Sequence, residues 1–292
     1  MLRLFLPFFL LVFSAHADDN HPRPFSDEAD ARAEVNAALA RAAVNNIRTL
    51  IVFGANWCHD SRGLANHFAQ EDMQTLLTEN YELVWVDVGW RHRHLPLLRD
   101  MGAYTIYGTP TVLIIDPDIG LVNRDTMHTW HTAYSRDHAD VVRYFQRMAF
   151  TRPAGGVVEN SRTYARLVDQ INEWEAREGA RLSLAYLEMQ NWREAMDEHY
   201  DRAGQDDEST RLVTEFQTVE AAIDAQRNRM RQDRSNLYTQ ARETVRDALF
   251  ELGSNLTPEL AEQLDASAPE IELDYPDYSA RTWPWEEEGW AF

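Results

Sequence analysis

The sequence predicts an α/β domain followed by a mainly α-helical C-terminal region. Between residues 26 and 152, short β-branched apolar runs alternate with stretches of helical apolar spacing. Residues 160 to 252 contain no proline and few β-branched runs, and are rich in Glu, Arg, Ala and Leu. A third observation locates the chemistry. Cys58 is the only cysteine of the 292-residue chain, and it stands where an apolar run gives way to a helical pattern.

Residues 1–17 are expected to be a secretory signal peptide. Arg3 supplies a basic start, Leu4 to Phe13 is apolar, and Ala15-His16-Ala17 forms a small-x-small cleavage site. That run is too short to span a bilayer comfortably, and no later run is long and apolar enough to do so. The protein is therefore expected to be exported, beginning at Asp18.

Sequence order then gives the elements. Asp18 to Phe25, with two prolines, reads as a flexible lead. Ser26-Asp27-Glu28 can cap a helix over 29–46, with Val35, Leu39 and Val44 near one face. Leu50 to Phe53 is a buried strand, broken by Gly54-Ala55-Asn56. A helix is expected over 58–78, using Leu64, Phe68, Met73, Leu76 and Leu77, and a strand over 81–88. Residues 89–102 form a loop and a short helix carrying Trp90, Arg91, His92, Arg93 and His94.

Val112 to Ile115 is the next strand. Asp116-Pro117-Asp118-Ile119-Gly120 is a turn, and Leu121 to Asn123 is the antiparallel partner. A helix over 136–148 closes the domain, assigned to residues 26–152. After the linker Thr151 to Gly156, a helical region over 157–253 divides into helices at 161–177, 179–203 and 208–252. The last is either one long helix or a hairpin turning near Asp233 to Asn236. The tail, 254–292, is acidic and carries Tyr275, Tyr278, Trp283, Trp285, Trp290 and Phe292. Burying such rings is favourable, so it is expected to dock on its own chain or on a partner.

All 28 basic residues are arginine, set against 48 acidic ones, for a formal charge of −20. So acidic a surface argues against nucleic acid as a partner. One cysteine also means no internal disulfide. An unpaired thiol in an oxidising compartment invites chance oxidation, which argues for a reactive role; a buried, inert thiol is the alternative. At a strand-to-helix turn, first-turn N–H groups and the helix dipole favour the Cys58 thiolate. His59 would help as a donor, and Asp60 would oppose.

Two motifs carry a family likeness. Trp57-Cys58-His59-Asp60-Ser61 follows a strand, and Tyr107-Gly108-Thr109-Pro110-Thr111 lies about fifty residues later, just before another strand. Together with the order of the strands, they resemble the thioredoxin family. The resemblance implies that Cys58 is the nucleophile and that Trp57 shields it. It also implies a cis Thr109–Pro110 bond against the cysteine, with the Thr109 backbone offered to an extended substrate.

Ser61 stands where the family has its second cysteine. A hydroxyl can hydrogen-bond a thiolate but cannot resolve a mixed disulfide. Val52 replaces the buried acid of many thioredoxins. The expected function is that of a monothiol thiol–disulfide oxidoreductase or isomerase acting on protein or small-thiol disulfides. It needs an external thiol, on the substrate or on a molecule such as glutathione. The resemblance and the signal together point to the periplasm.

No cofactor is expected. His92 and His94, and His128, His131 and His138, have ligand-like spacings but no obvious convergent cysteine and carboxylate, so no metal is expected and most are read as surface residues at the site's rim. The helical region would select a protein substrate or mediate self-association into a homo-oligomer. The alternative is a non-catalytic scaffold that binds through its helices and tail. A third reading is a sensor that dimerises through Cys58.

Overall fold

The computed structural model describes residues 21–150, 155–279 and 281–288. The expected signal peptide, linker residues 151–154, and Trp290 and Phe292 lie outside them. The elements are α1 (Ala31–Asn45), β1 (Arg48–Gly54), α2 (His59–Phe68), α3 (Glu71–Asn80), β2 (Tyr81–Asp87), α4 (Leu95–Asp100), β3 (Thr111–Asp116), β4 (Gly120–Leu121) and α5 (His138–Phe150). They are followed by α6 (Arg162–Ala203), α7 (Asp207–Leu252), α8 (Pro258–Ser267) and α9 (Pro284–Glu288).

The sheet runs β2-β1-β3-β4, with β2 parallel and β3 antiparallel to β1. Central β1 is buried throughout. Its alternating side chains feed two layers. Leu50 and Val52 pack with Leu64, Phe68, Met73 and Phe145 from α2, α3 and α5. Ile51 and Phe53 join a second core that takes in α1 and continues into α6 and α7.

Several local readings change. Phe25 is not part of a free lead: it is buried, and its backbone exchanges hydrogen bonds with the Asn56 side chain. Asp30, rather than Ser26, caps α1 by accepting from Ala33 N–H. The single helix expected over 58–78 is two, because Gln70 is extended and starts α3 with Glu71 and Asp72 in its first turn. No proline or glycine marks that break. Strand β4 stops at Leu121, and the Asn123 side chain takes over the pairing, accepting from Ile114 N–H and donating to Val112 C=O. An unexpected 3-10 turn spans Thr129–Ser135.

The C-terminal region is a hairpin of two helices of 42 and 46 residues, each about 60–70 Å long. Its short turn is fixed by the Asp206–Ser209 capping box. The break expected at residue 178 is absent. Gly179 lies inside α6 because an added Cβ would come within 3.2 Å of Thr105 Cβ and 3.3 Å of Tyr104 O. Glycine here serves close approach to the α/β half. Helix α7 is likewise unbroken, with Asp233 accepting from Tyr278 O–H.

The hairpin lies on the α/β half through apolar and polar contacts alike. Trp174, Tyr186 and Met230 share a core with Ile106, Tyr107 and Met127. Tyr186 O–H donates to Ile106 C=O at 2.6 Å. Arg234 pairs with buried Glu175 at 2.9 Å and donates to Arg124 C=O at 3.0 Å. The described part of the tail docks on its own chain. Asp265 caps α6 by accepting from Arg162 and Thr163 N–H, and Trp174 Nε1–H donates to Pro276 C=O.

Candidate active site

The site begins with the turn between β1 and α2. Asn56 is fixed by Phe25, and Cys58 N–H donates to Ala55 C=O at 3.1 Å, which closes the turn. Cys58 is the N-cap of α2, at the positive end of the helix dipole, and its side chain makes no cap hydrogen bond. The Thr109–Pro110 bond is cis. Cys58 Sγ donates to Thr109 C=O at 3.2 Å. The two sequence motifs therefore meet at one hydrogen bond.

The flanking residues are engaged. Ser61 is fully buried, and its Oγ accepts from Ala55 N–H at 3.4 Å; no hydrogen bond joins it to Cys58. Val52, where an acid is often found, is packed in the apolar core. The His59 ring lies tilted against Tyr134, at 3.4 Å between ring centroids, and Asp60 accepts from Tyr134 N–H. Both thus hold the 3-10 turn over the start of α2 instead of hydrogen-bonding the sulfur.

Trp57 forms the opposite wall. Its Nε1–H donates to Gly89 C=O at 2.9 Å, and its ring stacks on Trp90 at 4.5 Å. The hairpin reaches this stack: the Arg193 guanidinium lies 3.8 Å from the Trp90 ring centroid and 4.9 Å from that of Phe216. Arg91 lies over Trp57 at 5.1 Å. Burial, then the approach of Arg227, lowers the Arg91 pKa; Tyr186, Asp224 and the Cys58 sulfur pull it back up. Arg91 thus puts a guanidinium against Trp57, the residue before Cys58. Only its position in a Trp-Arg-His loop hinted at this.

The site is covered. Cys58 is 9 % exposed and Thr109 is 4 % exposed. Gly108, next to Thr109, has no room for a side chain because His131 lies against it. Of the histidines expected at the surface, His128 is buried. Burial and then the nearby Arg234, His131, Arg231 and Arg124 hold its pKa well below the ordinary value. Among the described residues, no group of three His, Cys, Asp or Glu converges as metal ligands, and no helix is long and apolar enough to cross a membrane.

A thioredoxin-like family model matches residues 30–117, which span both motifs and exclude the hairpin. No curated protein matches the chain. Among solved structures, the chain is similar to a disulphide isomerase from Xylella fastidiosa Temecula1, at 29 % identity and a TM-score of 0.41, over 44 % of this chain and 97 % of that one. The α/β half of this chain is a thioredoxin-like domain.

Proposed function

We propose that this chain is an exported, monothiol thiol–disulfide oxidoreductase or isomerase that works through mixed disulfides at Cys58. The observation that carries this is the Cys58 sulfur at a helix N-terminus, against the carbonyl that precedes a cis proline. The Cys58 thiolate attacks one sulfur of a substrate disulfide. A Cys58–substrate disulfide forms, and the other substrate sulfur leaves as a thiolate and takes a proton. Ser61 cannot reverse this. A second substrate thiol, or an external small thiol, attacks the mixed disulfide and restores the Cys58 thiolate. When the resolving thiol belongs to the substrate, the cycle changes no net redox state and amounts to isomerisation.

Arg91 and the α2 N-terminus supply positive charge where the thiolate forms. Trp57 walls the site, and the Thr109 backbone is the surface for an extended substrate. The test is the rate of Cys58 alkylation by iodoacetamide at neutral pH in the native protein and in the unfolded chain. Faster reaction in the native protein is expected, together with a trappable mixed disulfide.

One observation favours a second reading, a non-catalytic scaffold: the sulfur and Thr109 are both covered. On that reading, native alkylation is far slower than in the unfolded chain, and Cys58→Ala leaves the biological role intact.

A further inference from the structure

A pocket of about 110 Å³ lies where the tail meets the two long helices. Leu182 of α6, Ala222 and Met230 of α7, and Tyr278 and Trp283 of the tail give it apolar walls. A space of this size takes a single ring; a cavity of about 150 Å³ is known to hold benzene.

Three arginines line the same pocket, Arg181, Arg229 and Arg281, and they gather about Tyr278. Arg181 donates to the Tyr278 carbonyl, and Arg281 lies over the Tyr278 ring at 5.1 Å. Burial and then Asp233 raise the Tyr278 pKa, while Arg281 and Arg229 pull it back down. Arg229 and Arg281 are exposed, so both are open to a ligand.

Among the described residues, none of the three has a carboxylate partner. Glu178, the one acid in the lining, accepts from Arg177 Nε at 3.0 Å. Asp233 accepts from Tyr278 O–H, and Asp277 accepts from Ser279 N–H at 2.7 Å. Three guanidiniums around an apolar pocket, in a chain of net charge −20, are a local reversal of sign.

The wall adds a neutral donor. Gln226 is 6 % exposed, and its Oε1 accepts from Arg229 at 3.2 Å. Its amide nitrogen then has two protons to give, and no acceptor takes them among the described residues. That nitrogen is not sealed in the core, and the space that Gln226 lines is this pocket. A donor on a buried side chain, left without a partner, calls for an acceptor.

We infer that this pocket binds a small aromatic carboxylate, with its ring against Leu182, Met230 and Trp283 and its carboxylate on Arg229, Arg281 and the Gln226 amide. The site belongs to the hairpin and the tail and does not depend on the proposed thiol chemistry.

The experiment is a ligand-observed NMR titration of the full mature chain at neutral pH with benzoate, benzyl alcohol, benzylammonium and acetate. Saturable binding of benzoate is expected, about tenfold tighter than of benzyl alcohol, which lacks the charge, or of acetate, which lacks the ring. Benzylammonium should bind no better than benzyl alcohol. Arg281→Gln, at an exposed position without an ion pair, should weaken benzoate binding about tenfold, while Arg143→Gln on α5 should leave it unchanged. Absence of saturable binding, benzyl alcohol or acetate binding as tightly as benzoate, preference for benzylammonium, or insensitivity to Arg281→Gln in a folded variant would overturn the inference.

Discussion

The α/β half and the helical hairpin bury comparable apolar side chains but are held together differently. In the α/β half, β1 is covered on both faces and paired on both edges, so its fold is fixed by a backbone ladder and two apolar layers. The hairpin has only side-chain contacts between its helices. Its seam contains a buried ion pair, Glu175–Arg234, and Arg234 also reaches the backbone of the other half. Such a seam is costly to disturb, because removing one charge strands the other in a medium that solvates it poorly. The lesson is that the hairpin is completed by what it leans on, and through Arg193 it leans on Trp90, which stacks on the Trp57 that precedes Cys58.

The strongest way to break this comparison is Glu175→Ala. It leaves the Arg234 guanidinium buried and unpaired, and about 3–5 kcal/mol of stability should be lost. Urea unfolding followed by tryptophan fluorescence reads this directly. Loss under 1 kcal/mol would mean that the pair is dispensable to the docked hairpin.

Gly179→Val comes next. Its new side chain meets Thr105 and the Tyr104 carbonyl, an overpacking cost of about 1–3 kcal/mol. The hairpin should be pushed off the α/β half, and Cys58 alkylation should accelerate. Unchanged alkylation in a destabilised variant would show that the hairpin does not limit access to the sulfur.

Arg193→Ala sharpens the same point more locally. It removes the guanidinium packed between Trp90 and Phe216, an interaction of about 1 kcal/mol. Stability should fall by about that much, and the Trp57–Trp90 stack should loosen, read as a rise in acrylamide quenching.

The smallest effect is with pH and belongs to the α/β half. His67 and His138 share an Nδ1–Nδ1 contact of 3.1 Å, with His138 also on Asp72. Burial, partly offset by the Ala133 carbonyl, and then the neighbouring His138, lower the His67 pKa below its ordinary value of 6.5. A histidine depressed in the folded state favours folding fully above its unfolded pKa. That contribution is lost as pH falls through about 6.5 towards the folded value. The urea midpoint should therefore drop between pH 7.5 and 5.5, and the drop should be smaller in His67→Gln. An equally steep drop in that variant would assign it to other groups.

Much of the α/β half is legible because period and punctuation agree there. β-branched runs mark the strands, and two motifs fifty residues apart mark the site. Where legibility fails, a side chain has replaced the expected signal. Gln70 breaks a helix without proline or glycine, and Asn123 finishes a strand pairing with its amide. In the hairpin the failure is opposite: Gly179 looks like a helix end but is a contact. At the site, the sequence lets Ser61 and His59 face the sulfur, and the structure turns one onto Ala55 and the other onto Tyr134.

By itself, the sequence determines that one thiol stands at a strand-to-helix turn, that no second cysteine of the chain can resolve it, and that the chain is strongly acidic. These are local or compositional facts, and none of the three needs a partner segment. Only the tertiary structure decides that the Cys58 sulfur meets the Thr109 carbonyl, that Arg91 lies over Trp57, and that Arg193 of the hairpin packs on Trp90. Each of these joins residues far apart in the chain. The spacing of apolar residues says which helix face is buried, but not which polar groups from another segment it will be buried against.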